Sequence, residues 1–188
     1  EGVSSCTECT SGKYQELTQQ ILSSSCKACP TGYYTNSIAQ SSCTECIVGK
    51  HQDSTSATNC KQCVEGTFSN SAHATVCTDC SKGRHQPDKE KTMCIHCQAG
   101  YYSDQTQQAN CKACDAGRKS TAVEATDSNA CEECLVGRYS NAPASTECTE
   151  CEKGYKQGTS TAVPCVKCGY GTFSKDEGTA DCVNCPAG

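Results

Sequence analysis

The stretch Cys26-Lys27-Ala28-Cys29-Pro30-Thr31-Gly32-Tyr33-Tyr34-Thr35-Asn36-Ser37-Ile38-Ala39-Gln40-Ser41-Ser42 decides the fold, because most of the chain is copies of it. Cysteines three apart open the stretch, a glycine follows the second by three residues, and a ring follows the glycine by two. A polar run then leads to the next pair at Cys43. The units begin at Cys6, Cys26, Cys43, Cys60, Cys77, Cys94, Cys111, Cys131, Cys148, Cys165 and Cys182. Eight of the ten intervals are 17 residues and two are 20. Self-similarity at a fixed short period marks a repeat architecture, in which no unit buries a core alone. Residues 1-188 are therefore expected to form one continuous repeat array, cut from a longer chain.

The glycine is in register throughout: Gly12, Gly32, Gly49, Gly66, Gly83, Gly100, Gly117, Gly137, Gly154, Gly171 and Gly188. Such a position calls for a positive φ or a close approach of another backbone, so each unit turns at the same place. The ring slot holds Tyr14, Tyr34, His51, Phe68, His85, Tyr102, Tyr139 and Phe173, with Lys119 and Lys156 as the exceptions. In the second exception the ring stands one place earlier, at Tyr155. One flat side chain per unit reads as the element that covers a disulfide. The Ser, Thr, Asn and Gln runs favour turns and short extended segments, predicting two short strands per unit and little helix.

Alternate units differ. Lys13-Tyr14-Gln15, Lys50-His51-Gln52 and Arg84-His85-Gln86 alternate with Tyr33-Tyr34-Thr35, Thr67-Phe68-Ser69 and Tyr101-Tyr102-Ser103, giving a second period of 34 residues.

Twenty-two cysteines in 188 residues, with no Trp, one Met and two Phe, describe a disulfide scaffold without a central hydrophobic core. Mean hydropathy is -0.60. Cysteine at this density belongs to secreted or surface proteins, where bridges can form and persist. A bridge closing a loop of about 15 residues contributes on the order of 3 kcal/mol, which burial in so apolar-poor a unit cannot supply. Two pairings suit the spacing. In one, second cysteine meets next first cysteine: Cys9-Cys26, Cys29-Cys43, Cys46-Cys60, Cys63-Cys77, Cys80-Cys94, Cys97-Cys111, Cys114-Cys131, Cys134-Cys148, Cys151-Cys165 and Cys168-Cys182, with Cys6 and Cys185 paired outside the window. In the other, first meets first and second meets second inside two-unit modules, as the 34-residue alternation would allow. The consecutive scheme is the one expected here.

The Cys-x-x-Cys-x-x-Gly-x-aromatic unit resembles the ephrin-receptor-like cysteine-rich repeats of extracellular proteins. It is also similar to the first loop of the tumour necrosis factor receptor module and to cysteine-periodic surface proteins of protists. The resemblance implies an elongated array in secreted or surface proteins, without catalysis. Tumour necrosis factor receptor modules carry six cysteines each at varied spacing, and the monotony of this chain argues against a dedicated ligand site.

The fold class expected is small, disulfide-rich and mostly irregular, with short β-strands arranged as a tandem-repeat rod. Its expected role is an extracellular spacer, surface coat or fibre component; the alternatives are an adhesion or receptor stalk and, more remotely, a zinc-binding repeat protein. The zinc reading rests on Cys-x2-Cys-x13-Cys-x2-Cys spacing. No catalytic motif is present, and no cofactor or metal is called for. Eleven equivalent Cys-x-x-Cys copies without helical patterning read as structure, not redox chemistry. His51 and His85 fill ring slots while His73 and His96 stand in polar surroundings. The thinly spread net charge of -5 argues against nucleic acid, and no apolar run spans a membrane. The expected partners are further copies of the repeat, with O-linked glycans on clusters such as Ser23-Ser24-Ser25 and Thr159-Ser160-Thr161.

Overall fold

The computed structural model describes residues 8–16, 25–160 and 164–186. Cys6, Ser23, Ser24, Thr161 and Gly188 lie outside them.

Each repeat turns at its glycine. The amide of Lys13 donates to the Thr10 carbonyl (3.1 Å), and the same three-residue step recurs at Tyr33 to Pro30, Lys50 to Ile47 and onward to Thr172 and Gly169. Third in every turn is the glycine, with φ between +74° and +85° from Gly12 to Gly171, as a type II turn requires. The turn delivers a two-residue strand, which pairs with the two residues between the cysteines of the following repeat. Lys13–Tyr14 pairs with Lys27–Ala28, Lys50–His51 with Lys61–Gln62, and Thr172–Phe173 with Val183–Asn184. All ten strand pairs among the described residues are antiparallel and two-stranded, and isolated parallel bridges join Tyr14 to Gln40 and Tyr102 to Ala125. Each repeat thus contributes two strands, but to different hairpins.

A bridge closes each hairpin, from Cys9–Cys26 to Cys168–Cys182. The sequence separation is 14 in eight of them and 17 at Cys9–Cys26 and Cys114–Cys131. The three extra residues of the latter loop are accommodated late in it, where Ser128–Ala130 forms a 3-10 turn capped by the Asp127 carboxylate. The insertion therefore leaves the repeat's contacts in register.

Beyond the hairpin itself, three backbone bonds tie a repeat to the next. For the first pair, Gly12 donates to Thr35, Gln15 donates to Gln40, and Ala39 donates to Cys9, at 2.8, 3.0 and 2.9 Å. The pattern recurs with Gly83 to Ser103, Gln86 to Gln108 and Gln107 to Cys80. Contacts confined to immediate neighbours would be the simplest repeat design, yet the structure goes further. A Cβ on Gly12 would lie 2.8 Å from the carbonyl carbon of Ser56, two repeats away, and closer still to its oxygen. Gly32, Gly49, Gly66, Gly83 and Gly100 meet His73, Glu90, Gln107, Glu124 and Ala144 in the same way. Three successive repeats converge on each of these turns. Those intruding residues are themselves left-handed, with φ from +50° to +62° at Ser56, His73, Glu90, Gln107, Glu124 and Ala144.

Cystine and small polar groups fill the interior. Second cysteines from Cys29 to Cys151 are at most 1% exposed. From Thr35 to Ser174 the residue after the ring slot is also buried, and alternate repeats use it differently. Ser69 and Ser103 donate their hydroxyls to carbonyls two residues on, whereas Gln52 and Gln86 reach across the loop to the carbonyls of Asn59 and Met93, each at 2.7 Å. The 34-residue alternation is thus a choice between two ways of tying a loop. No buried side-chain polar atom among the described residues lacks a partner.

The chain divides into two compact bodies. One is drawn from residues up to Cys80, Gln86–Cys94 and Gln107–Ala109; the other from Ser81–His85, Ile95–Thr106 and Asn110 onward. Both are built by the rules above. No helix of the described residues is long and apolar enough to cross a membrane.

Candidate functional site

Because the repeat offers no single cleft, its chemistry is distributed along the bridges. The structure joins Cys9–Cys26, Cys29–Cys43, Cys46–Cys60, Cys63–Cys77, Cys80–Cys94, Cys97–Cys111, Cys114–Cys131, Cys134–Cys148, Cys151–Cys165 and Cys168–Cys182. Cys185 carries an exposed thiol. These bridges consume the thiolates that a four-cysteine zinc centre would need.

The ring slot is half-buried in most repeats, at Tyr14, Tyr34, His51, Phe68, His85, Tyr102 and Tyr139, while Phe173 is exposed. Two members meet sulfur directly. Nδ1 of His51 lies 3.1 Å from Sγ of Cys77, and Nδ1 of His85 lies 3.0 Å from Sγ of Cys111. A bridged sulfur has no proton to give, so Nδ1–H is the donor in each contact. Lys119, which breaks the aromatic pattern, is only half-exposed and pairs instead with Glu132 across its own hairpin, at 3.6 Å.

A second regular feature had no signature in the spacing. At His73, Glu90 and Glu124 the side chain of the left-handed residue meets the residue following the turn glycine two repeats earlier. Tyr33 stacks on His73 at 5.9 Å, Lys50 pairs with Glu90 at 3.5 Å, and Arg84 pairs with Glu124 at 2.6 Å. The intermediate repeat adds Glu45 to His73, Gln62 to Glu90 and His96 to Glu124. Burial alone would push the Glu124 carboxyl up; the His96 hydrogen bond and the Arg84 charge outweigh it and hold the group below its ordinary value. Hydrogen bonds from Lys61 and Lys112 likewise lower Asp53 and Asp104.

The most developed hollow in the second body is lined by His85, Ile95, His96, Gln98, Tyr101, Asn110 and Cys111. It is shallow and contains no nucleophile activated by a base, so it offers no hydrolytic constellation.

A profile of the tyrosine-protein kinase ephrin type A/B receptor-like family matches residues 1–39, 18–63 and 87–131, together more than half of the chain. The chain belongs to this family. No curated protein matches it. Ephrin-receptor-like repeats are cysteine-rich, receptor-type and non-catalytic in kind, and bridges of this density indicate an extracellular or surface setting. The ephrin-receptor-like unit accounts for the periodic cysteines. The geometry adds why its glycine is needed twice over, for its φ and for its missing Cβ.

Proposed function

We propose that this ephrin-receptor-like chain is a structural segment of an extracellular protein, serving as a spacer, a surface coat or a fibre component. One observation carries the reading: the junctions at Gly12, Gly32, Gly49, Gly66, Gly83 and Gly100 each combine a disulfide with three backbone hydrogen bonds beyond the hairpin and a contact from the repeat beyond. Such a junction resists separation without a partner molecule and leaves no specialised loop for ligand selection. Longer arrays of the same repeat and self-association are its natural partners, since the junction is made from repeat surfaces alone. O-linked sugars on the Ser and Thr clusters suit the same role.

Labelling the chain in its native material and viewing it by electron microscopy tests the proposal. Continuous layers, stalks or fibres carrying regularly spaced label are expected. Isolated compact particles bound one-to-one to a soluble ligand would sink it. Family membership favours a second reading, in which the repeats are the stalk of a receptor whose binding head lies elsewhere in the protein. A saturable ligand that needs the head and ignores the repeats would establish that version.

A further inference from the structure

Two of the ten bridges differ from the rest in what covers them. His51 approaches Cys63–Cys77 and His85 approaches Cys97–Cys111, and within each trio the three donor atoms lie within 4.8 Å of one another. The trios are spaced 34 residues apart and occupy equivalent places in alternate repeats. We propose that each trio becomes, on reduction of its bridge, a binding site for a thiophilic divalent cation such as Zn²⁺.

The chemistry of the donors supports the assignment. Tetrahedral zinc with sulfur at about 2.3 Å sets its two sulfurs about 3.8 Å apart, with imidazole nitrogen at about 2.0 Å from the metal. Opening the S–S bond lets the sulfurs part to that distance while Nδ1 already faces them. Neither trio must be assembled from remote parts. The flanking bridges Cys46–Cys60 and Cys80–Cys94 still hold the first, as do the backbone bonds of Gly49 to Ser69 and Gly66 to Gln86. One sulfur of each pair, Cys63 or Cys97, is fully buried, while its partner and the ring are partly open. That leaves the fourth coordination position to water, and at the second site the hollow shared with His96 admits it.

With a phosphine as reductant the steps balance. Phosphorus attacks one sulfur, water supplies oxygen to give the phosphine oxide, and the two electrons released remain on two thiols that take up two protons. Cation binding expels those two protons, and the imidazole moves its own from Nδ1 to Nε2.

The full chain provides internal controls, because the same slot holds Tyr, Phe or Lys elsewhere. Native chain is treated with limiting phosphine, with or without Zn²⁺, then alkylated, and each cysteine is mapped by mass spectrometry. Zinc should slow alkylation of Cys63, Cys77, Cys97 and Cys111 by at least about tenfold, leaving the other opened thiols unaffected. His51→Tyr should abolish protection at Cys63 and Cys77 alone, and His85→Tyr at Cys97 and Cys111 alone. Tyrosine fills this slot at Tyr14, Tyr34, Tyr102 and Tyr139, and an unchanged zinc-free map establishes that each variant keeps its fold. Zinc protection that survives in the variants, that appears equally at Cys46 and Cys60, or that is absent because these bridges refuse to open, overturns the proposal.

Discussion

Gly66 and Gly171 stand at the same place in the repeat, with φ of +78° and +74°, yet their surroundings differ. Beside Gly66 a Cβ would lie 2.5 Å from the carbonyl carbon of Gln107; beside Gly171 nothing lies within 4 Å. One residue type in one register therefore serves two separable needs, a left-handed turn everywhere and room for another backbone at the crowded turns. Conformation and packing can be weighed apart within a single molecule.

The largest effect that would break this comparison is steric. Gly66→Ala adds overlap to backbone strain and should weaken the junction by about 4 kcal/mol. Its readout is faster hydrogen exchange at the Gln107 amide, which donates to Cys80. Removing the bridge Cys46–Cys60 by paired serine substitutions should cost about 3 kcal/mol. Exchange in the strands Lys50–His51 and Lys61–Gln62 should nevertheless remain protected, because backbone bonds reach that hairpin from both sides. The equivalent removal of Cys168–Cys182 should expose Thr172–Phe173 and Val183–Asn184, where Gly171 receives no such support. Gly171→Ala, carrying strain without overlap, should cost only about 1 kcal/mol in thermal unfolding under oxidising conditions. Equal losses at Gly66 and Gly171 would show that strain alone selects glycine.

Acid sharpens the comparison at Gly83, over which Glu124 lies. The folded carboxyl titrates below its ordinary value of 4.5, so its ion pairs contribute fully above that value and are lost as pH falls through the lower folded one. The Glu124 carboxyl resonance followed by NMR should titrate below that ordinary value, and Arg84→Ala should move it upward. The smallest change is Ala39→Gly, which relieves a left-handed φ of +56° and should stabilise by about 0.5 kcal/mol in the same melts. A loss of stability there would mean that the methyl group itself packs.

Cysteine and glycine spacing made the repeat, the turn and the short strands legible, because those residues act through local geometry that a 17-residue period exposes. Spacing left two disulfide pairings open, and the bridges in the structure run between consecutive repeats. The intruding left-handed residue stayed hidden. It is Ala39, Ser56, His73, Glu90, Gln107, Glu124 or Ala144, types with no shared preference for that conformation, imposed by hydrogen bonds to another repeat. The buried Ser, Thr and Gln after the ring slot were visible as an alternation, but their polarity disguised them as surface. Likewise His51 and His85 could be assigned to ring slots from sequence, whereas their approach to particular sulfurs depends on how the next hairpin folds back.

The position of the bridges has a mechanical consequence. Pulled from its ends, the chain would pass tension through Cys-x-x-Cys and across each cystine to the following pair, bypassing the loop in between. Each bypassed segment, with its cysteines 14 apart in sequence, stores about 50 Å of contour that is withheld until its bridge is cut. Tensile strength therefore resides in four residues per repeat. The loops are free to lengthen, as at Cys114–Cys131, without adding stretch, and reduction would turn an inextensible tether into a compliant one.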